Sequence, residues 1–177
     1  MSASFQSVVN ILAGFGVPGE IFQTAPSVVL SYTLNSSGTP NVVGSTAYTI
    51  TSQGLAQAGS GGSFGFAGIL CNPKVYALYG TSGGALNPTL VLPDQVQAEL
   101  LTEGILIVAI TTEAAIGDYL IYDDTTGALS TFAPAGTCPT GFSFANGVVS
   151  QFTQDTSGGG LAVVQISPII NPVPTNA

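Results

Sequence analysis

The stretch DYLIYDDTTGALSTF, residues 118–132, decides the fold class of this chain. Its first half is rich in Tyr, Leu and Ile, which favour strands, and it ends in the polar run Asp-Asp-Thr-Thr-Gly. The chain then returns as ALSTF, so the stretch has the form of two strands joined by a loop of about three to five residues. The sequence therefore predicts a β-hairpin at this position.

Further strands are predicted on both sides of the hairpin, separated by clusters of Gly, Pro, Asn and Ser. They lie at residues 19–24, 27–34, 47–51, 64–70, 95–101, 104–111, 148–152 and 161–167. The intervening segments 35–41, 57–63 and 133–147 are predicted turns and loops. Short strands at roughly 8–12-residue spacing, without a long helix, predict an all-β protein with a sandwich or barrel-like architecture of short antiparallel strands.

The predicted organisation is an N-terminal arm at residues 1–17, a β domain at 18–167 and a proline-rich C-terminal tail at 168–177. The length suits one domain or two small lobes, and the second alternative would divide the chain near 100–104. Proline lacks a backbone N–H, so we expect the tail to stay out of any sheet interior.

The arm carries apolar residues at the spacing of one helix face. They are Phe5, Val8, Val9 and Leu12. An apolar stripe needs a surface to cover it, so the arm is either a frayed end or a segment that docks on a neighbouring protein.

Charge is scarce in this chain. Lys74 is its one basic residue, and nine acidic residues bring the net charge to −8. Only 6% of the residues are charged, against about 25% in an ordinary domain. This composition argues against binding to nucleic acid or to anionic membranes, and it favours extensive contact with other protein. The sequence also shows no secretory signal and no transmembrane helix.

The residue inventory excludes most catalytic mechanisms, because the chain contains no histidine and one lysine. Cys71 and Cys138 are expected to be buried and reduced rather than joined in a disulfide. Asp118, Asp123 and Asp124 could suggest calcium, but their spacing departs from the known loop motif, so they are interpreted as turn residues.

Two groups of residues are candidates for function. Gln97 and Glu99 lie two apart on a predicted strand and would share a face, as an acid hydrolase on a β-sandwich would require. The alternative is a solvated strand face. Lys74, Tyr76 and Tyr79 form a candidate protein interface, since tyrosine supplies a large contact area with a polar tip. An ordinary surface lysine is the alternative there.

Several blocks of the sequence are together similar to the structural cement, or decoration, proteins of tailed-bacteriophage capsids. They are GVPGEIFQTAP (16–26), GFAGILCNPKVYALYGT (65–81), PTLVLPDQVQAELLTEGILIV (88–108), IGDYLIYDDTTGALSTFAPA (116–135) and GLAVVQIS (160–167). The block AGILxNPKxYAxYGT, followed by the QAELxTxGI block and the hairpin, is the specific part of the resemblance.

The resemblance implies a protein that is made in the bacterial host cytoplasm and binds the outer face of the phage head. Its implied partners are the major capsid protein and further copies of itself, as a dimer or a trimer. It implies neither an active site nor a cofactor. A tail or fibre component of the virion is the alternative structural role.

Overall fold

The structure is a computed structural model, and it describes residues 16–22, 26–59, 64–71, 91–153 and 159–168. Within these ranges the regular secondary structure consists of β-strands, without a helix. Eleven strands are present: β1 (Val28–Leu34), β2 (Asn41–Val42), β3 (Ala47–Ile50), β4 (Leu55–Ala58), β5 (Phe66–Leu70), β6 (Val91–Leu92), β7 (Gln97–Ile110), β8 (Tyr119–Asp123), β9 (Leu129–Phe132), β10 (Phe142–Thr153) and β11 (Gly160–Ile166). The predicted all-β class is confirmed.

Nine of these strands form one sheet in the order β1-β4-β3-β5-β7-β11-β10-β8-β9, and β2 pairs with β6 separately. An additional pairing of β1 with β7 closes β1, β4, β3, β5 and β7 into a small barrel. The predicted barrel-like architecture is therefore confirmed.

The prediction that the strands are short and antiparallel needs correction in two respects. Strand β7 has 14 residues and β10 has 12. The pairing of β1 with β4 is parallel. A parallel pair needs a long crossover, which β2 and β3 supply between them.

Strand β7 joins the two halves of the sheet. Its first half pairs with β1 and β5, and its second half, from Gly104 onward, pairs with β11. The prediction of two separate strands at 95–101 and 104–111 is therefore wrong. Gly104 has a φ of +136°, which is easy for glycine, so the strand can change its course there without ending. The division into two lobes near 100–104 stays a prediction.

The buried apolar side chains form two clusters. The barrel interior contains Leu34, Val43, Tyr48, Ala56, Ala58, Leu70, Leu92, Ala98 and Leu100. The larger cluster joins the barrel to the β11-β10-β8-β9 part of the sheet, and its largest fully buried members on β7 are Leu101 and Leu106. These two residues are five apart, an odd spacing, so the face of β7 that meets this cluster changes between them, around Gly104.

Three further predictions of local structure were wrong in part. The segment predicted as a strand at 19–24 makes only an isolated bridge, from Ile21 to Leu106, within the described residues. The predicted loop 57–63 begins with two residues of β4. The predicted loop 133–147 ends inside β10, because Phe142 and Phe144 pair with β8. In each case pairing with distant strands outweighs local composition.

The predicted hairpin at 118–132 is confirmed as β8 and β9. Its loop is held by Asp123, whose Oδ1 accepts hydrogen bonds from the Thr125 N–H at 2.9 Å, the Thr126 N–H at 2.7 Å and the Thr126 hydroxyl at 2.9 Å. The bond from the Thr126 N–H is the main cause that lowers the pKa of Asp123. Asp123 therefore acts as the turn residue that the sequence predicted.

Candidate functional surface

A network of hydrogen bonds lies at one end of the barrel, centred on the buried Asn41. Its Oδ1 accepts from the Ser36 hydroxyl at 2.6 Å and from the Tyr48 hydroxyl at 2.8 Å. Its Nδ2 donates to the Leu92 carbonyl at 3.1 Å and to Asp94 Oδ1 at 2.9 Å. The amide thus ties β2 to β3, to β6 and to the turn that precedes β7, and its role is structural.

The charges around this network favour one protonation state for each group. Burial, together with the negative charge of Asp94, raises the pKa of Tyr48, so its hydroxyl stays protonated and donates. Burial also works to raise the pKa of Asp94. This effect is outweighed by hydrogen bonds to the carboxylate, so the pKa of Asp94 is lowered overall. The donors are the Ser36 N–H, the Asn41 amide and the Gly38 and Ser37 N–H groups.

Acid should therefore weaken the fold through Asp94. A carboxylate whose pKa is lower in the folded state stabilises that state above its unfolded pKa, near 3.8, and the stabilisation is lost as the pH falls through the folded value. We expect the free energy of unfolding, measured by urea denaturation, to fall as the pH is lowered through the unfolded value and below it. The Asp94→Asn variant should lose less over the same range. Identical pH profiles for the two proteins would contradict this role.

Gln97 and Glu99 do share one face of β7, and both side chains are exposed, while Ala98 and Leu100 between and beyond them are buried. This alternation is the geometry of a solvated strand face, the second interpretation given above. The carbonyl of Glu99 accepts the backbone N–H of Cys71 at 3.0 Å, which holds β5 and β7 together at this point.

A groove of about 280 Å³ lies elsewhere, between β7 and the segments around β2 and β9. Its lining includes Pro40, Val42, Ala109, Ile110 and Ala128, together with several threonine side chains. Neither Gln97 nor Glu99 borders it. The lining carries no ionisable side chain.

Both cysteines are free, as the sequence predicted. The predicted burial holds for Cys71 but not for Cys138, which is only half-buried because it lies in the loop between β9 and β10. Burial, with a contribution from the Glu99 carboxylate, raises the pKa of Cys71 to about 11, so its thiol stays protonated at neutral pH.

Within the described ranges no group of three or more Cys, Asp or Glu side chains is placed to hold a metal ion. The same ranges contain no helix long and apolar enough to cross a membrane.

The surface of the protein carries few charges. Ten charged residues share an accessible area of 10197 Å², about 1,000 Å² each, which exceeds the share of one partner in a standard protein interface. Large apolar side chains are exposed at Val17, Val28, Leu30, Phe64, Val91 and Ile116. A cluster of three half-buried aromatic rings, Tyr119, Phe132 and Phe144, has centroid distances of 5.5–6.2 Å. Such a surface is suited to contact with other protein.

The predicted interface residues lie outside the described residues. This holds for Lys74, Tyr76 and Tyr79 and for the apolar stripe of the arm, which consists of Phe5, Val8, Val9 and Leu12. Their roles stay predictions. The exposed apolar residues named above, by contrast, were not singled out from the sequence, where Val28 and Leu30 look like half-buried strand residues.

The fold is an all-β barrel with an extended sheet, and the scarcity of charge on it is typical of a structural protein rather than of an enzyme. The chain matches the family model described as "Structural cement protein (E217 gp24/Pam3 gp6)" over residues 5–167. It therefore belongs to this family of phage cement proteins, and the predicted resemblance is confirmed. Its function is that of a structural cement protein of the capsid.

The fold has a counterpart among solved structures. A chain from the structure titled "The capsid of Myoviridae Phage XM1" superposes with a TM-score of 0.59 and 17% sequence identity, and the match covers 96% of this chain and 100% of that one. At this identity the likeness establishes the fold. No curated protein matches the chain.

Proposed function

We propose that this cement protein binds the outer face of the capsid shell, on the major capsid protein, and reinforces the shell against the pressure of packaged DNA. The observation that carries the choice of face is the charge. With one basic residue and a net charge of −8, the chain is repelled by the DNA that fills the head. On the outer face of the shell, screening by salt leaves this repulsion between the chain and the DNA small.

The exposed apolar side chains supply the means of attachment. Burial of apolar area contributes roughly 25 cal/mol per Å², less the costs of immobilisation, and it needs no complementary charge on the shell. Val28, Leu30, Val91 and Phe64 are each at least 43% exposed and offer such area on the described surface.

The direct test is to add the purified protein to intact, DNA-filled heads that lack it. We expect saturable binding, together with greater resistance of the heads to heat or to mechanical rupture. Binding only to heads whose interior has been opened would contradict the outer-face assignment. Heads disrupted before addition serve as the control.

Ionic strength should have little influence on this binding. An interface-sized patch of this surface carries only about one charged residue, so few ion pairs can form and screening removes little of the attraction. We expect the dissociation constant to change less than about threefold between 50 mM and 500 mM salt. A steep loss of binding over that range would show that charge pairs carry the contact.

We further propose that the arm at residues 1–17 docks on neighbouring protein through Phe5, Val8, Val9 and Leu12, and that Lys74, Tyr76 and Tyr79 lie at an interface. Deletion of residues 2–14 should weaken shell binding more than it lowers the melting temperature of the isolated subunit. An equal effect on both would favour a role of the arm in folding. Sedimentation with heads and thermal unfolding measure the two quantities.

The remaining proposals concern catalysis, other kinds of partner, the site of synthesis and self-association. We infer that it has no catalytic role, because the family is a structural one, and that it binds neither nucleic acid nor membrane, because of its charge. We also propose synthesis in the bacterial host cytoplasm and self-association as a dimer or a trimer.

A further inference from the structure

The barrel is incompletely closed where β1 meets β4. Strand β1 pairs with β7 along Val28–Thr33. Among the residues that the structure describes, its pairing with β4 is limited to Thr33 with Leu55 and Leu34 with Ala56. The first five residues of β1 therefore extend past the start of β4, and this part of the strand, Val28–Tyr32, is called the β1 edge below.

The hydrogen-bonding groups of the β1 edge follow from the neighbouring contacts. Leu34 donates to the Val96 carbonyl at 2.9 Å and accepts from the Gln95 N–H at 2.8 Å, so its backbone groups point toward the β7 side. The direction of the backbone N–H and C=O groups alternates along a strand, so those of Tyr32 and Leu30 also point toward β7. Val29 and Ser31 then direct their N–H and C=O groups away from β7, toward the open side of the barrel.

Two neighbouring bonds support this assignment. Asn35, two residues beyond Thr33, donates its N–H to the Ala56 carbonyl at 2.8 Å, so the odd-numbered residues do face the β4 side. Glu99, which lies opposite Ser31, accepts the Cys71 N–H from β5 at 3.0 Å, so its carbonyl is turned away from β1. Ser31 and Glu99 are therefore a pair without mutual hydrogen bonds.

The β1 edge also lacks the usual protection of an exposed strand. Edge strands are commonly protected by Lys, by Pro or by inward-pointing charges, and the sequence Val-Val-Leu-Ser-Tyr contains none of these. Val28 is 44% exposed and Leu30 is 43% exposed. Apolar side chains and outward-pointing backbone groups thus occur together on the same five residues.

We propose that the β1 edge pairs antiparallel with the β1 edge of a second copy of this chain, about a two-fold axis at Leu30. Val29 of each copy then lies opposite Ser31 of the other, and both pairs exchange N–H···O=C bonds, which gives four main-chain hydrogen bonds. The two Leu30 residues face each other across the axis. The result is a sheet that runs from one barrel into the next.

A second copy is the occupant that fits this edge best. The strand is its own complement: the outward-pointing residues are placed symmetrically about Leu30, and an antiparallel two-fold pairing uses both of them. The pairing also brings no charged residue of β1 against another, which matters for a chain of net charge −8 that has one cation for ion pairs. Two apolar leucines meet on the axis in place of charges.

Cysteine cross-linking tests both the pairing and its register. The Leu30→Cys substitution is made together with Cys71→Ala and Cys138→Ser. Residues opposite each other without mutual hydrogen bonds have Cα atoms about 4.5 Å apart, inside the range of roughly 4.4–6.8 Å that a disulfide spans. We expect mild oxidation to convert this variant to a covalent dimer.

The matched control is Val28→Cys in the same background, at a position of nearly equal exposure on the same strand. In the proposed register Val28 lies opposite Tyr32 of the other copy, so the two thiols introduced by this substitution are too far apart to join. We expect at least about tenfold less covalent dimer than for Leu30→Cys. Equal cross-linking at the two positions would overturn the register and with it the proposal.

A second variant tests the main-chain bonds. Ser31→Pro removes an N–H that points away from β7, so the pairing with β7 is retained, as proline on an edge strand allows. Light scattering should show a dimer for the wild type and a dissociation constant at least about tenfold higher for this variant. Circular dichroism checks its fold, and the cross-linking result stands on its own if the variant unfolds.

Two outcomes would count against the second copy as the occupant. A wild-type protein that stays monomeric at high concentration would overturn the proposal. So would a monomeric protein whose binding to heads is lost in Ser31→Pro, because the β1 edge would then be occupied by the shell protein. The dimer test uses the isolated protein, so its failure is distinct from a failure of the proposed outer-face binding.

Discussion

Replacing Gly44 with alanine is expected to lower the free energy of unfolding by about 3–5 kcal/mol, from left-handed backbone strain together with overpacking. Gly44 has a φ of +70°, and a Cβ at this position would run into the backbone of Pro18 and Gly19. The residue cannot move aside easily. Its N–H donates to the Leu70 carbonyl at 2.8 Å, and its carbonyl accepts the Ala109 N–H at 2.8 Å.

Gly54 provides the matched control for this substitution. Its φ of +77° is almost the same, but a Cβ there would meet no atom within 4 Å. Gly54→Ala should therefore lose only the conformational part, about 1–2 kcal/mol. Urea denaturation of both variants measures the difference. Equal losses would show that the segment at residues 16–22 is not packed against Gly44 as described.

Replacing Asn41 with alanine should also destabilise the fold strongly, by about 3 kcal/mol or more. The amide accepts hydrogen bonds from two buried hydroxyls, of Ser36 and Tyr48, and donates to Leu92 and Asp94. Its removal leaves several buried polar groups without their partners, and each such group costs about 1–3 kcal/mol.

Asn35→Ala is the control for this prediction. The Oδ1 atom of Asn35 makes one exposed contact, with Gln95 Nε2 at 3.5 Å, so its loss should cost less than about 0.5 kcal/mol. Chemical denaturation at neutral pH compares the two variants. A difference below about 1 kcal/mol would mean that the Asn41 network contributes little to stability.

The sequence predicted those parts of the fold that depend on neighbouring residues. The hairpin of β8 and β9 is one such part, because its strands, its loop and the bonds of Asp123 all lie within residues 118–132. Strands β1, β3, β5 and β11 were predicted for a related reason, since each is a short apolar or alternating run between turn signals.

The parts that the sequence did not predict depend on distant contacts. Asn41 stands in a run of turn-forming residues, and its importance comes from Leu92 and Asp94, which lie more than 50 residues further along the chain. The continuity of β7 through Gly104 depends on β1, β5 and β11. Strands β2 and β6, with two residues each, are too short to leave a pattern.

For the candidate surface, too, the sequence predicted one property and not another. Scarcity of charge is a property of composition, so the sequence alone indicated a protein that contacts other protein. The identity of the exposed apolar residues is a property of the barrel: Leu30 continues an alternating pattern that predicts burial, yet it is exposed, and β4 pairs with β1 only further along, at Thr33 and Leu34.

The most direct test of the central claim is a cryo-EM reconstruction of the intact, DNA-filled particle. The account predicts density for this barrel in many copies on the outer face of the head, in contact with the major capsid protein. Density confined to the tail or to the inner face of the shell, or a head that carries none of this chain, would contradict it.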